Sequence, residues 1–319
     1  MKKQLFVIVN LLITFYGHAQ FSVIQDGEGE TSFQIFTANT LLINAEKESI
    51  GFSFSPKEFT NVQKGKYWTI TLSANAKEGT SNLFKGGEFQ FSGKLGGNLI
   101  FDATDYGGRD DVKDVNFVYH FLGFEGLYSR NNIFDASKPF DDQIYEQTNL
   151  GFRLNYGLNL QNVKYENTIF NFLGAFTAGI SGSFGLKDNT DILDEMEIIT
   201  SEQTITSGTS IRTVSETSTV YLTDEIERNQ MFARLNFDFG KYIISKRFFS
   251  NLHMTYAFDE NYKPSFNPAL GLYVTAKGAP IEAIVGLQVQ TKDWSNNRNS
   301  EKDRWERTSI VLTAGFPFN

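Results

Sequence analysis

Only two histidines, His120 and His253, follow residue 19 of the 319-residue chain, and histidine is the side chain that most readily exchanges protons near neutral pH. Both fall in stretches where apolar and polar residues alternate, and both read by parity as polar-face positions. A general base needs a positioned partner and access to substrate. Ser250 stands three residues from His253, so on an extended strand the two point to opposite faces. Neither Gly-x-Ser-x-Gly nor His-Glu-x-x-His occurs in the sequence, which removes two common hydrolase signatures. The carboxylate-rich run DATDYGGRDDVKD, Asp102 to Asp114, lacks the spacing of a twelve-residue calcium loop, and Arg109 and Lys113 offset its charge. It reads as a solvated turn. These residues predict histidines in structural hydrogen-bond networks, no catalytic residue, no metal site and no cofactor.

More charged side chains share that polar parity: Glu88, Lys94, Asp102, Arg153, Arg234, Asp238 and Glu282. The elements that must carry them are long strands. In GEFQFSGKLGGNLIFD, Gly87 to Asp102, the odd positions from Phe89 to Phe101 read Phe, Phe, Gly, Leu, Gly, Leu, Phe against a polar set. Strands in soluble proteins usually run about 5–6 residues, whereas a tilted strand crossing a bilayer needs about 9–11. Alternation recurs near Trp68 to Asn75 and at Val115 to Arg130, with a bulge expected at Gly123-Phe124. It continues through Leu150 to Leu160, Phe170 to Ser181, Met231 to Phe239, Asn251 to Phe258, Leu270 to Ala276, Glu282 to Gln290 and Ser309 to Phe316. That gives about ten amphipathic strands. Ser32 to Asn44 and Ser49 to Phe54 can pair around AEKES, Ala45 to Ser49, and raise the count to twelve; the alternative is a cap or plug beneath ten strands. Even numbers are favoured because both ends of such a barrel lie on one side.

The expected fold is therefore all-β, an antiparallel transmembrane β-barrel of about twelve strands over residues 66–319, preceded by an N-terminal segment, residues 20–65. Composition agrees, with Phe 31, Gly 27 and Tyr 13 beside Pro 6, a balance that favours strands and turns. Mean hydropathy is −0.28, compatible with a barrel because its polar lumen dilutes every strand. The opening MKKQLFVIVNLLITFYGHAQ has a basic start at Lys2 and Lys3, an apolar run from Leu5 to Tyr16 and a small-residue exit at Gly17-His18-Ala19. This is the pattern of a secretory signal peptide over residues 1–19. Cys is 0, so no disulfide framework and no lipid-bearing cysteine is expected. Net charge is −8, and −10 without Lys2 and Lys3; the basic footprint of a nucleic-acid binder is missing.

Connections sort by length. Those at Asn162–Asn167, Ile243–Arg247 and Lys277–Pro280 are short and read as periplasmic, with Ala103–Asp114 longer than its neighbours. Those at Asn131–Thr148, Gly185–Asn229 and Lys292–Arg307 are long and read as extracellular. The loop over 185–229 is acidic, with Asp188, Asp191, Asp194, Glu195 and Glu197 in its first part. Its middle, TITSGTSIRTVSETSTVYL, predicts a hairpin turning at Ser207-Gly208, though such a polar composition also fits an unfolded loop. Strand-end aromatics Tyr67, Trp68, Tyr128, Tyr242, Phe248, Trp294, Trp305 and Phe318 suit interfacial girdles.

A leader ending in HAQ, aromatic-rich amphipathic strands and a last strand TSIVLTAGFPFN together resemble the small, porin-like outer-membrane β-barrels common in Bacteroidetes. Such barrels usually end on an aromatic that the assembly machinery reads; here Phe318 is penultimate and Asn319 follows. The resemblance implies an outer-membrane location, contact with outer-membrane lipid and the barrel-assembly machinery, and a non-enzymatic role. Two roles fit: limited passage of small solutes or ions past Lys94, Arg153, Arg234, Asp238, Glu282, His120 and His253, or display of the acidic 185–229 loop to a partner. No residue pattern sets the oligomeric state.

Overall fold

The computed structural model describes residues 31–33, 39–44, 49–54, 67–75, 84–85, 88–89, 92–105, 117–163, 176–190, 192–193, 196–207, 210–244, 247–275, 283–298 and 302–318. The strands among them are β1 (Asn39–Asn44), β2 (Ser49–Phe54), β3 (Tyr67–Asn75), β4 (Phe84–Lys85), β5 (Glu88–Phe89), β6 (Ser92–Asp105), β7 (Phe117–Phe134) and β8 (Ile144–Val163). They continue with β9 (Phe176–Lys187), β10 (Met196–Ser207), β11 (Ser210–Leu222), β12 (Gln230–Ile244), β13 (Phe248–Asp259), β14 (Ser265–Thr275), β15 (Ala283–Thr291) and β16 (Thr308–Phe318). Among the described residues no helix is long and apolar enough to cross a membrane.

Fourteen strands share one sheet, and β4–β5 form a separate small hairpin. Following the pairings from β7 leads through β6, β3, β2, β1, β16, β15, β14, β13, β12, β9 and β8, and β8 pairs again with β7 over eighteen residues of β7. All pairs in this circuit of twelve strands are antiparallel. Each strand thus has a partner on both sides, which removes the unpaired edges that make open sheets prone to aggregate. The β1–β2 hairpin supplies the two strands that the ten clear alternations lack, and β1 closes the ring on β16 from Asn39↔Phe318 to Asn44↔Thr313. Ser32 and Phe33, expected to open the first strand, lie outside any strand and are buried inside the barrel, with Thr31 half-buried beside them. The N-terminal segment therefore contributes both a hairpin to the wall and a short filler to the lumen.

We call the end where β1 starts and β16 stops the base, and the opposite end the mouth. β1, β3, β7, β9, β13 and β15 run from base to mouth, and β2, β6, β8, β12, β14 and β16 run back; the described connections 135–143 and 260–264 lie at the mouth. One connection is shorter than expected. β7 and β8 continue to Phe134 and from Ile144, so half of Asn131–Thr148 is strand. β9 begins at Phe176, and Phe170 and Phe172 lie outside the described residues.

The wall has an apolar outside. Leu72 pairs with Leu95, and Leu272, Leu287 and Leu312 form a continuous outward row, all between 47 % and 60 % exposed. Contiguous apolar surface of this extent is rare on a soluble monomer. Trp68 and Phe248 stand on this outer face near the base, while Trp294 and Trp305 lie in the 292–307 connection at the mouth. Tyr242 belongs elsewhere: its ring packs edge-on against buried Phe249 at 5.4 Å, so it faces inward rather than into a girdle.

Glycines explain why several aromatics turn inward. Phe121 lies directly across from Gly157, where a Cβ would come within 2.4 Å of its ring. Tyr273 faces Gly286, where a Cβ would lie 2.1 Å away, and Phe249 covers Gly240 at 2.0 Å. A glycine on one strand and an aromatic on the next fill one space together. These rings, with Tyr119, pack the lumen toward the base.

That pattern corrects one strand. No register break occurs at Gly123; the pairing of β7 with β8 is continuous, and the irregularity lies between Phe101 and Thr104 of β6. Tyr119, Phe121 and Glu125 consequently face in, while Leu122 and Phe124 face out. His120 is on the outer face, not the lumen, stacked between Phe101 and Tyr156 with its Nδ1 2.7 Å from the Tyr156 hydroxyl. Parity had been set by treating the aromatics of β7 as lipid-facing, which the glycine of β8 reverses.

Candidate functional site

Two inward rows of directly opposed residues hold most of the lumen chemistry. The first runs Tyr119, Asn159, Gly179, Asp238, His253 across β7, β8, β9, β12 and β13. Asp238 is fully buried, and its carboxylate has a partner at each position a carboxylate can offer. Its Oδ1 accepts from Asn251 Nδ2 at 2.7 Å and faces His253 Nδ1 at 2.9 Å. Its Oδ2 accepts from the Ser32 amide and the Ser32 hydroxyl, both at 2.7 Å. Asn159 Nδ2 donates to the Ser32 carbonyl at 2.6 Å, and Tyr119 donates its hydroxyl proton to Asn159 Oδ1 at 3.1 Å. A buried charge persists only when it is hydrogen-bonded in this manner.

His253 also meets Thr255 Oγ1 at 2.8 Å through Nε2. The sequence of contacts, carboxylate to imidazole to hydroxyl, matches the order of a hydrolytic triad. The protons run the wrong way for hydroxyl activation, however. Thr255 donates to Asn236 Oδ1 at 2.8 Å, so Nε2 must donate to Thr255 instead of accepting from it. His253 is thereby held between Asp238 and Thr255, with no free nitrogen aimed at a hydroxyl it could activate. The set is a wall-locking network, with His253 and Thr255 each 1 % exposed.

The second row runs Glu125, Arg153, Gly185, Phe232, Asp259 and lies nearer the mouth. Arg153 pairs with Glu125 at 3.4 Å. Asp259 gathers three cations: Arg234 at 2.8 Å, Arg298 at 2.6 Å and Lys187 at 3.4 Å. Around the Phe232 ring stand Lys187 at 5.0 Å, Arg234 at 5.3 Å and Arg153 at 5.8 Å from its centroid, distances at which the ring face attracts cations. Arg298 comes from the 292–307 connection, whose Asp293 carboxylate accepts from the amides of Asn297 and Arg298, both within 3.0 Å. The rim is thereby tied to the wall.

Arg153, Arg234, Asp238 and His253 thus come together inside, in two layers, and Lys94 stands on β6 in the inward series with Asn98 and Ile100. His120 is separated from them by the wall. Glu282 lies outside the described residues, as do Asp191, Asp194 and Glu195. Asp188 is not displayed: it is 8 % exposed and accepts from Ser129, Asn131 and Asn149 on β7 and β8, the last at 2.9 Å. Glu197 is exposed on β10.

The 185–229 connection is ordered as a ribbon. β10 and β11 pair from Met196↔Val220 to Ser207↔Ser210, and Gly208 of the expected turn lies outside the described residues. At about 3.3 Å per residue the ribbon extends on the order of 40 Å. Only Tyr221 and Leu222 join the barrel sheet, alongside Ile133 and Phe134. At its root, buried Asn189 accepts from the Glu227 amide at 2.9 Å and donates to the Glu225 carbonyl at 2.8 Å.

Among the described residues no group of three or more carboxylates and histidines is arranged to hold a metal ion. Sequence reasoning had passed over Asn159, Thr255, Asp259, Lys187 and Arg298. The same inward parity that picked out His253 marks Thr255 and Asp259, but Arg298 sits in a connection where no periodicity points to it. No protein-family model matches the chain, and no curated protein matches it.

Proposed function

We propose that the protein is an outer-membrane barrel, exported behind a cleaved leader, that passes small solutes or ions through a narrow, charge-lined lumen without catalysing a reaction. The observation that supports this most is the distribution of charge: Lys187, Arg234, Arg298 and Arg153 converge on one inward ring and two carboxylates near the mouth, within a wall whose outer face exposes Leu72, Leu95, Leu272, Leu287 and Leu312. Ion pairs held out of water contribute little net stability compared with apolar packing, so an interior built of them suits a selective path better than a filler. The aromatics packed toward the base and the buried Ser32 and Phe33 make that path restricted.

The test is conductance of the detergent-folded protein in planar bilayers. Discrete steps are expected, with Arg153→Gln and Arg234→Gln each shifting the reversal potential in a salt gradient toward cation preference. Folded barrels that give no steps in any salt would sink the passage reading.

The β10–β11 ribbon favours a second role, display to a surface partner, because it stands clear of the barrel on a two-residue attachment. Deleting residues 196–222 should leave conductance within about twofold. If that deletion abolishes cell-surface binding of a partner while the barrel still inserts, display is the principal role.

A further inference from the structure

We propose that Asn159, Gly179 and Asp238 form a peptide-binding groove on the inner wall, and that residues 31–33 are its exchangeable occupant. This goes beyond passage of solutes, since it assigns a ligand class, a short extended peptide, to a defined part of the lumen. The three wall residues are direct neighbours on β8, β9 and β12. They present what a peptide backbone needs. Asp238 Oδ2 takes the Ser32 amide proton at 2.7 Å, and Asn159 Nδ2 gives a proton to the Ser32 carbonyl at 2.6 Å.

Between them Gly179 leaves room for the peptide to lie against the sheet. A Cβ there would come within 2.6 Å of Ser32 Oγ, 3.0 Å of Phe33 Cδ1 and 3.1 Å of the Ser32 carbonyl oxygen. The groove also reads side chains. Asp238 takes the Ser32 hydroxyl proton at 2.7 Å, and Phe33, 0 % exposed, packs edge-on to Phe249 at 6.5 Å. Its preferred ligand is thus a small hydroxyl residue followed by an aromatic. The Asp238 carboxylate is held in place for this by Asn251 and His253 on its other oxygen.

Exchange is possible because residues 31–33 belong to no strand. The Ser32 amide and carbonyl are bound by the Asp238 and Asn159 side chains, and the Phe33 amide donates to the Thr31 hydroxyl at 3.0 Å. The barrel ladder does not depend on them. Side-chain bonds of this kind can pass to a competing peptide without unzipping the sheet.

The chain has no cysteine, so Ser32→Cys introduces a single thiol. In the folded barrel a water-soluble maleimide should label it slowly, because the position is buried. Millimolar Glu-Thr-Ser-Phe-Gln, the sequence of residues 30–34, should raise the labelling rate at least tenfold, as should the wedge Gly179→Val in the Ser32→Cys background. Should the wedge variant fail to fold, Asn159→Ala in the Ser32→Cys background serves instead: loss of the bond to the carbonyl of residue 32 should raise the labelling rate severalfold. A rate that neither the peptide nor the wedge changes, or a thiol that labels at the rate of a free peptide from the start, overturns the proposal. Conductance recorded on the same samples keeps the two readings apart. Peptide-accelerated labelling in barrels that never conduct removes the passage role and leaves the groove standing.

Discussion

At the scale of single residues, buried charges decide what the interior tolerates. Asp238→Ala strips the acceptor from Asn251, His253 and the Ser32 amide at once, and removing one partner of a buried charged set typically costs about 3–5 kcal/mol. A large drop in the urea midpoint of the mobility shift between folded and unfolded barrel is the expected outcome. Arg298→Ala is expected to be milder, about 1–2 kcal/mol, because Asp259 keeps Arg234 and Lys187. Equal losses in the two variants would refute this ranking. Outside the barrel wall, hydrogen bonds from the hydroxyl and then the amide of Ser137 hold the Asp135 carboxyl below the usual carboxylate range. A depressed value means that the stabilisation of this turn is complete above about pH 4, the ordinary Asp value, and is lost as pH falls through the lower folded value. Protease cleavage within 135–143 should therefore rise only in that acid range, and Asp135→Asn should flatten the response.

At the scale of elements, pairing one strand's glycine with the next strand's aromatic shapes the lumen. Gly240→Ala would set a Cβ 2.0 Å from the Phe249 ring and force the ring to move, with an expected cost of about 1–3 kcal/mol. Gly182→Ala, on the outer face with nothing within 4 Å of the added carbon, should be neutral within about 0.5 kcal/mol. Thermal midpoints of the heat-modifiable band compare the two directly. The same pairing explains why β7 was the strand least legible in the sequence. Period two gives the existence and length of a strand, but it does not say which face is in when both faces carry large residues. Tyr119 and Phe121 look lipid-facing until Gly157 is placed across from Phe121. On β12 and β13, where charged and amide residues fill one face, parity alone placed Arg234, Asp238 and His253 inside.

At the scale of the whole molecule, a circuit of strands paired on both sides carries an apolar exterior and a polar interior. An outward leucine near mid-strand tests this: Leu287→Arg should cost about 2–4 kcal/mol in lipid vesicles if the belt meets hydrocarbon. On a water-exposed surface the same change would fall within about 0.5 kcal/mol. Unfolding titrations in vesicles and in detergent-free buffer distinguish these outcomes. The N-terminal segment shows the limit of reasoning about domains, since it divides its roles between wall and lumen. The β1–β2 hairpin joins a circuit of twelve strands, which sets aside a cap or plug beneath ten, while Ser32 and Phe33 ahead of it lie inside the barrel.

By itself the sequence determined the all-β class, the presence of long amphipathic strands and the inward face of β12, β13 and β15, because the backbone pleat ties side-chain direction to position along one strand. The folded barrel decided which strands neighbour one another, and with that every contact made across the lumen. Asp238 meets Ser32, 206 positions away, and Asp259 meets Arg298 from a connection with no periodicity. Such partners are chosen by ring closure, which brings together residues that no local pattern links.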